Sequence, residues 1–395
     1  MIKRKKKNKE HNPFYDPTLK KRHVSAKRFK KFTLTSLIFS VAFLAFFLFD
    51  MIGKGIPAFN IAYIKTDVTF NEKTLEDTRF AVPTEYRNLV SRAALRDLPK
   101  LLEENPTYMN STQNIWILAS SQVDQYIKNH NHNLKDKDIA IVDELYAQGL
   151  IDKKFNAIFF ENGDSKIPEY AGIFSAVIGS ILTLIITMAV AFPIGVMTAI
   201  YLEEFAGDNK FTRFIEININ NLAAIPSILF GLLGLAIFIN LFGMPRSSPL
   251  VGGLTLALMT LPIIIVSSRA ALRAVPDSIR QAGYGLGLNK IQVTRDHVLP
   301  LAFPGIMTGS IIGLAQAMGE TAPLIIIGMI AFIPDAPSMV TQAATVMPAQ
   351  LFTWAGMPEG MYIEKTAAGI LVLLTILISL NAIAIFLRKK FEVKW

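Results

Sequence analysis

LPIIIVSSRAALRAVPDSIRQAGYGLGLNKIQVTRDHVLPLAFPGIMTGSIIGLAQAMGETAP, residues 261–323, sets the architecture of this protein. An uncharged segment leads into a polar loop and then into a second apolar segment that holds one acid, Glu320. The middle of the stretch, Pro276 to Pro300, is too polar to cross a bilayer. Its capping and apolar residues are nevertheless regularly spaced. We therefore expect a structured loop at a membrane surface between two spans.

The capping residues of this loop predict two short helices. Asp277 or Ser278 is suited to cap the first helix, and Gly287 is suited to its C-terminal end. Asn289 is expected to cap a second turn or two before Pro300 stops the run. A helix held in this position can carry force between a soluble partner and the membrane.

The composition of the whole chain is typical of a membrane protein. Hydrophobic residues make up 51% of the 395 residues and charged residues only 18%, which places the chain outside the ordinary soluble class. The first 31 residues hold 13 Lys or Arg against two acids, Glu10 and Asp16. A basic arm can bind nucleic acid, but an apolar run begins directly after it at Phe32. We interpret residues 1–31 as a cytoplasmic topology anchor near anionic lipid and predict no nucleic-acid partner. Without cysteine, the chain has no disulfide and no thiol chemistry.

The run from Phe32 to Phe49 predicts the first transmembrane helix, within residues 32–54. Its 18 uncharged residues are enough to cross a hydrocarbon core of about 30 Å with the help of flanking residues. A signal peptide also has a basic start and an apolar stretch. However, Asp50 to Lys54 offers no small-x-small cleavage site, so we expect a retained span.

Five further uncharged runs predict a five-helix core over residues 171–387. They are Ala171–Leu202, Ile217–Pro245, Ser247–Ser268, Val298–Gly319 with a continuation past Glu320 to Pro334, and Thr366–Leu387. Lys and Arg concentrate in the N-terminal arm, in two alternate loops and in the tail 388–395, whereas the short opposite loops hold only Arg246 and Lys365. By the positive-inside rule both termini are cytoplasmic, and the long segment after the first span lies outside.

The segment 55–170 predicts a separate extracytoplasmic domain. Its composition is polar and mixed, with helical spacing at 85–102 and 138–148 and a predicted strand from Phe155 to Phe160. About a hundred residues are enough for a modest core, so we expect a small α+β domain.

Two histidines in this segment raise the question of a metal site. His130 and His132 lie near Asp124, Asp136 and Asp138 in the sequence. No further ligand follows at a typical spacing. We therefore favour a solvated loop and predict no metal.

Two motifs resemble a known family of transporters. The residues Arg280-Gln281-Ala282-Gly283, then Gly287, then Val298-Leu299-Pro300 resemble the Glu-Ala-Ala loop of ABC-importer permeases, which docks into a cleft on the cytoplasmic ATPase. Gln281 and Gly283 stand where that loop is named for Glu and Ala. The segment Gly319-Glu320-Thr321-Ala322-Pro323-Leu324 is similar to one in the phosphate-importer permeases of the PstA family. The resemblance covers roughly Phe32 to Gly53 and Gly172 to Leu387, and the part between looks like an insertion found in some members.

The resemblance implies an all-α membrane protein with six transmembrane helices of the ABC-importer permease type, plus the small α+β domain. It implies the permease subunit of a phosphate importer in the inner membrane, paired with a second permease subunit. It also implies two cytoplasmic ATPase subunits, which bind ATP and Mg, and a periplasmic phosphate-binding protein. The chain itself then binds no cofactor. The ATPase-docking residues, within a coupling loop at 270–300, are Ser278, Arg280, Gln281, Ala282, Gly283, Gly287 and Pro300.

Four residues are candidates for the transport pathway. Glu320 is an ionisable group in an uncharged run, and such groups normally face a bundle interior or a wet cavity. Because a carboxylate repels an anion, we expect Glu320 to pair with an arginine of this chain or its mate, or to accept backbone N–H groups around Thr321. Arg269 is the better anion ligand because a guanidinium can fork onto an oxyanion. A topology charge that reaches the interface remains an equal alternative for Arg269. Gln316, one turn before Glu320, completes the set.

Small residues and prolines in the spans indicate packing and kinks. Gly305, Gly309 and Gly313 repeat at four-residue intervals and predict close helix contact. Pro226 lies within an apolar run and is expected to kink its helix.

Catalytic interpretations find little support. Gly283-x-Gly285-x-Gly287 has no preceding strand and no following Gly-Lys-Ser/Thr, so it is no phosphate-binding loop. His297 has no nucleophile or carboxylate arranged around it in the sequence. We therefore predict a non-catalytic subunit. The alternatives are a permease for sulfate, molybdate or phosphonate, a stand-alone secondary transporter, and a membrane sensor.

Overall fold

The structure is a computed structural model that describes residues 18–330 and 332–391 of the chain. The first 17 residues of the predicted basic arm, Ala331, and the last four residues of the predicted basic tail lie outside the described residues. The chain divides into two units, one that ends at Gly53 and one that runs from Lys54 onward.

The first unit contains a long helix, α1 (Leu19–Gly55), up to Gly53. Its 37 residues correspond to about 55 Å at 1.5 Å per residue, which exceeds a hydrocarbon core of about 30 Å. The helix begins inside the predicted basic arm, so its Lys- and Arg-rich first turns extend beyond the apolar run. Phe32, Phe39 and Phe49 are exposed, as expected of side chains that face lipid.

The second unit begins with a domain built on a small sheet. Its three antiparallel strands are β1 (Asn60–Phe70), β2 (Ser111–Leu118) and β3 (Ile151–Phe155). The strand order is β2-β1-β3, and Ile64 of β1 pairs with Ile117 on one side and Ile151 on the other. Side chains along a strand alternate between its faces, so Ile64, Val68 and Phe70 all face the buried core.

Short helices cover this sheet. Those in the described residues are α2 (Glu72–Glu76), α3 (Arg92–Arg96), α4 (Leu98–Glu104), α5 (Ser121–Ile127), α6 (Asp136–Ala147) and α7 (Ala157–Glu161). Leu89, Val123 and Val142 complete a core shared with the strands, so the small α+β fold is confirmed. We call residues 60–170 the inserted domain.

The predicted strand from Phe155 to Phe160 is wrong. β3 ends at Phe155, and α7 follows directly. The side chain of Asn156 accepts a hydrogen bond from the N–H of Phe159 at 3.2 Å, which caps α7 and stops the strand. Phe159 is buried, so its ring stabilises the helical turn through packing.

The helical core is organised around three long helices. They are α8 (Phe174–Ile200), α11 (Pro249–Arg273) and α14 (Leu299–Gly319). α11 is the most buried of the long apolar helices in the described residues and packs against both α8 and α14. A π-helical turn, Tyr201–Phe205, extends α8.

Glycines allow these helices to approach closely. A Cβ at Gly305 of α14 would lie 2.6 Å from the Cβ of Ala271 on α11, and one at Gly309 would overlap the side chain of Ser267. On the other side of α11, a Cβ at Gly253 would lie 2.6 Å from the Cβ of Ile186 on α8. The glycine stripe predicted on α14 therefore faces α11.

The predicted third span, Ile217 to Pro245, is bent rather than straight. α9 (Lys210–Ala223) and α10 (Ser227–Gly234), which a π-helical segment continues to Leu241, meet at 104°. Pro226 stands at the break, where it lacks an N–H and disfavours helical backbone in the residue before it. The described residues thus contain five straight candidate spans, or six when the bent pair counts as one.

The chain between the fifth and last spans is irregular. The run predicted to continue past Glu320 breaks there, and α15 (Ala322–Ile326), α16 (Met347–Ala355) and α17 (Gly360–Phe391) follow. Non-helical backbone beside a membrane needs hydrogen-bond partners from the protein. The hydroxyl groups of Ser175 and Ser247 supply them by donating to the carbonyls of Ile333 at 3.0 Å and Gly328 at 2.7 Å.

Two short helices join α11 to α14. α12 (Asp277–Gly285) begins after Pro276 without a side-chain cap, so the predicted cap from Asp277 or Ser278 is wrong. α13 (Lys290–Val293) begins at Asn289, whose side chain accepts from the N–H of Gln292 at 2.9 Å as predicted. A π-helical turn, Thr294–Val298, leads from α13 into α14. We call this end of the core, where α11 ends and α14 begins, the loop end.

Candidate functional site

Arg280 ties α12 to the loop end of the core. Its Nη2 and Nε donate to Glu204 at 2.7 and 3.3 Å, which makes a two-pronged ion pair with the turn after α8. Its Nη1 donates to the carbonyl of Val275 at 2.7 Å and to Asp277 at 3.3 Å, and its Nη2 also donates to the carbonyl of Leu272 at 2.9 Å. The hydrogen bonds to Glu204 raise the pKa of Arg280, so the side chain stays charged. The contacts give Arg280 a role in positioning α12.

The other residues predicted to dock an ATPase lie around α12. Gly283 is buried, and a Cβ there would lie 2.8 Å from Val293 on α13. The remaining five are exposed and are Ser278, Gln281, Ala282, Gly287 and Pro300. Gly287 has φ of +82°, a left-handed conformation that favours glycine. It lets the chain reverse between α12 and α13.

A groove of about 330 Å³ runs along this surface. Its walls are formed by Ile279, Ala282, Gly283, Leu286, Asp296, His297, Pro300 and Leu301. Leu286 is 79% exposed, and Ile291 nearby is 63% exposed. Apolar side chains displayed on a polar loop are typical of a surface that binds another protein. His297, for which the sequence indicates no catalytic partner, belongs to this groove.

Arg269 lies in a network of carboxylates. Its Nη2 donates to Glu216 on α9, and its Nε lies 3.4 Å from Glu203 in the turn after α8. Arg273 also donates to Glu203, at 2.7 Å. The Arg269 side chain is only 13% exposed. Two carboxylates already accept from its guanidinium, which favours a structural ion pair over the anion-binding role predicted for it.

Glu320, Gln316 and Thr321 lie at the opposite end of α14. Ser267 of α11 is level with Gly309 of α14, which places Arg269 roughly 15 to 20 Å along the helix axis from Glu320 at 1.5 Å per residue. The predicted pathway residues therefore form two groups rather than one. Within the described ranges, no hydrogen bond or ion pair reaches the Glu320 carboxylate. The partners predicted for it within this chain are not found there.

A second buried cluster of charges escaped the sequence analysis. Lys128, at the end of α5, lies 2.7 Å from both Asp124 and Glu364, and Glu364 lies near the start of α17. Gln125 donates to the other oxygen of Glu364 at 2.6 Å. All three charged side chains are almost fully buried. Burial raises the pKa of Asp124. This charged cluster joins the inserted domain to the last span.

Lys365 strengthens the same junction. Its position in the sequence indicates a loop charge, but it is 1% exposed. Its Nζ donates to the carbonyls of Pro168 at 2.7 Å, Glu169 at 3.1 Å and Ala171 at 2.7 Å. Adjacent charges, Glu364-Lys365, directly before a long apolar run were the available signal.

The two histidines of the inserted domain make different contacts. Nδ1 of His130 is 3.5 Å from Glu364. The His132 ring packs edge-on against Tyr126 at 4.9 Å. Within the described residues, no group of three potential ligands is arranged to hold a metal ion.

Comparison with known families gives two matches. Residues 191–393 match the family profile described as "Binding-protein-dependent transport system inner membrane component". Residues 16–86 and 81–136 match a second profile, "Domain of unknown function (DUF3333)". The first match covers the helical core from α8 onward, and the second covers α1 and most of the inserted domain.

Individual relatives point the same way. The chain is 36% identical to the phosphate transport system permease protein PstA of Mycobacterium leprae over 160 residues, 40% of this chain and 52% of that protein. It is 31% identical to PstA of Yersinia pestis over 245 residues, 61% of this chain and 81% of that protein. The probable ABC transporter permease protein YqgI of Bacillus subtilis is 33% identical over 42% of this chain and 56% of its own length. The chain spans about half the length of the first of these curated relatives.

Among solved structures, the chain is similar to an inward-facing MetNI methionine ABC transporter. The identity is 16% and the TM-score 0.45, over 56% of this chain and 98% of the matched one.

Proposed function

Because the chain belongs to the binding-protein-dependent transport system inner membrane component family, and within it to the PstA permeases, we propose that it is the permease subunit of an ATP-driven importer of inorganic phosphate. The chain is a multi-pass component of the inner membrane. The main observation behind the proposal is the structure of the loop end. There, an ion pair holds α12 against the helical core, and α12 displays an apolar groove between two spans of a family member. In this proposal the chain catalyses no reaction and binds no cofactor.

The proposed complex has defined partners. A second permease subunit pairs with this chain, two ATPase subunits bind ATP and Mg at the cytoplasmic face, and a periplasmic protein delivers phosphate. Lys and Arg are concentrated at the loop end and at both termini, which supports a cytoplasmic location for all three. The inserted domain then lies in the periplasm.

The ion pairs at the loop end supply a route for force. Closure of the ATPases pushes on α12, and Arg280 passes that push to Glu204 and thus to the end of α8. Arg269 links the end of α11 to α9 through Glu216 and to the turn after α8 through Glu203. The helix ends thus move together, tilting the spans between inward- and outward-open states.

The docking surface can be tested at Leu286. Leu286→Asp places a charge in the exposed groove without removing any hydrogen bond that holds α12. We expect co-purification of the ATPase to fall roughly tenfold or more, since burying an unpaired carboxylate in an apolar interface costs well over the roughly 1.4 kcal/mol that a tenfold change requires. Tyr146→Asp, on an exposed side chain of the inserted domain, is the control and should leave co-purification unchanged. Equal ATPase recovery with Leu286→Asp would remove the docking role.

The cargo can be tested by competition. The complete transporter is reconstituted in vesicles, and uptake of labelled phosphate is measured with excess unlabelled phosphate, sulfate, molybdate or phosphonate outside. We expect only unlabelled phosphate to compete. Stronger competition by another anion would reassign the cargo. Uptake by this chain without ATPase subunits would indicate a secondary transporter, and a lack of uptake of any of these anions by the complete complex would favour a membrane sensor.

A further inference from the structure

A cavity of about 730 Å³ opens on the inserted domain and is rich in arginine. It lies beside α3 and the short turn at 78–81 that precedes it. Its walls are formed by Asp77, Thr78, Arg79, Phe80, Arg87, Asn88, Arg92, Leu95 and Arg96. Four guanidinium groups thus share one cavity with a single carboxylate.

The single carboxylate is already neutralised. Arg79 donates from Nε and Nη2 to the two oxygens of Asp77 at 2.9 and 2.7 Å. These hydrogen bonds lower the pKa of Asp77 to about 2, so the pair stays ionised. In the described part of the chain, no carboxylate forms an ion pair with the other three arginines, Arg87, Arg92 and Arg96. The cavity wall therefore carries an excess of three positive charges.

Arg87 shows an unmet requirement for a hydrogen-bond acceptor. Its guanidinium carbon lies 4.7 Å from the centre of the Phe80 ring, a cation–π contact. Its Nε is buried and donates to no acceptor among the described residues. A buried N–H without an acceptor costs free energy. Arg87 also lines the cavity, where the rest of its guanidinium group can donate to an oxyanion.

A neighbouring cavity provides a comparison, because both positive and negative side chains line its walls. It shares Arg87 and Arg92 with the first and adds two positive side chains, Lys135 and Lys166, but three carboxylates, Asp138, Glu169 and Glu359, also line it. Those carboxylates offset the positive charge there. The anion-binding potential is therefore greatest in the cavity beside α3.

We propose that the cavity beside α3 binds a small phosphate-type oxyanion. Arg92 and Arg96 lie one turn apart on α3 and are exposed, so their side chains can reach across the opening. Planar guanidinium groups match the spacing of phosphate oxygens and form paired, charge-assisted hydrogen bonds with them. The volume exceeds that of one phosphate and also accommodates a diphosphate. This site rests on the inserted domain alone and does not depend on what the spans transport.

The test uses the full chain, purified in detergent and titrated with inorganic phosphate or pyrophosphate at constant ionic strength set with chloride. Binding is followed by isothermal calorimetry. The variant Arg92→Gln/Arg96→Gln removes two exposed guanidinium groups that make no ion pairs in the described structure. The control Lys73→Gln/Lys137→Gln removes two exposed positive charges from the same domain, outside both cavities. Thermal melting of each variant checks that it is folded.

We expect saturable binding of at least one anion to the native chain and the control, weakened roughly tenfold or more by Arg92→Gln/Arg96→Gln, since charge-assisted hydrogen bonds are lost. Arg87→Lys, which keeps the positive charge but removes the forked guanidinium group from the cavity wall, should weaken binding as well. Absence of saturable binding to the native chain would overturn the proposal. So would equal loss in the control, because that outcome reports only the net charge of the domain. Phosphate uptake by the complete transporter is a separate measurement, so the two proposals can fail independently.

Discussion

Charged side chains in the interior of this protein form hydrogen bonds with specific partner groups. Arg280 has two carboxylates and two carbonyls as acceptors, and Lys365 has three carbonyls. Breaking a buried ion pair by removing one partner typically costs about 3–5 kcal/mol. Such side chains therefore fix the relative positions of the segments that they join.

Asp164 offers a test of burial without loss of a hydrogen bond. Its Oδ1 accepts from Nε1 of Trp354 at 2.8 Å, and burial raises the pKa of this carboxyl. Between the unfolded pKa and the higher folded pKa, the folded state binds more protons, so this group's contribution to stability falls as the pH rises. Asp164→Asn keeps an oxygen acceptor for Trp354 but has no charge to bury. We expect a higher melting temperature than the native chain at neutral pH.

The same variant gives a second, pH-dependent readout. The difference in melting temperature should shrink as the pH falls toward about 4, where the unfolded carboxyl also binds its proton. Thermal unfolding of the full chain in detergent between pH 4 and 8 measures it. The exposed Asp152→Asn is the control. A difference that stays constant with pH, or a less stable variant at neutral pH, would contradict the argument.

At the scale of elements, the contact between α11 and α14 depends on where glycine stands. Gly309 and Gly313 occupy the same face of α14, one turn apart. A Cβ at Gly309 would overlap both Cβ and Oγ of Ser267, so rotation of that side chain gives no relief. A Cβ at Gly313 would lie 3.6 Å from Ile264, an ordinary contact. The two positions differ in packing although the sequence pattern treats them alike.

We therefore expect opposite outcomes from two identical changes on one helix. Gly309→Ala should destabilise the protein by about 1–3 kcal/mol, because overpacking forces the helices apart. Gly313→Ala should be neutral or stabilising by up to about 1 kcal/mol, since alanine favours a helix over glycine. Melting temperatures and the yield of monodisperse protein in detergent measure both. Similar losses in the two variants would mean that the stripe does not set the distance between α11 and α14.

Local sequence signals predict some of these elements and not others: the cap at Asn289 is confirmed, whereas the cap expected at Asp277 or Ser278 is wrong. Asn289 and Gln292 are three residues apart, and their cap follows from that spacing. The sequence predicts a kink at Pro226 but not its angle of 104°. Hydropathy indicates the length and polarity of a span but not the direction of its helix axis. Helix α16 was missed because it lies in a stretch without a long apolar run.

The sequence does not reveal the partners of the buried charged residues, because those partners lie far away along the chain. The acceptors of Lys365 lie 194 to 197 residues away in the chain, so no local pattern identifies them. The groove at the loop end shows the opposite case, because its residues lie within one short stretch of sequence next to the motif around Arg280. Its role in docking an ATPase stays a prediction. The pathway role of Gln316, Glu320 and Thr321 stays a prediction.

At the scale of the whole molecule, the inserted domain is anchored to the helical core by buried charges. Lys128 bridges Asp124 of the domain and Glu364 at the start of α17. Lys365, the next residue on α17, binds the segment that leads from the domain into α8. A tilt of α17 or α8 during transport would therefore move the inserted domain. The domain that holds the proposed anion site is thus mechanically connected to the spans.

The strength of this anchor can be measured by removing its central charge. Lys128→Met leaves Asp124 and Glu364 buried without their counter-charge and should cost about 3–5 kcal/mol. Adding Asp124→Asn and Glu364→Gln removes the uncompensated charges and should recover most of that loss. Lys73→Met, an exposed residue of the same domain, is the control.

Because burial raises the pKa of Asp124, and the loss of Lys128 favours its protonated form further, the single variant should gain stability relative to the native chain as the pH falls. If the melting temperature of the triple variant is equal to or below that of Lys128→Met at every pH tested, the charges of the cluster do not hold the domain to α17.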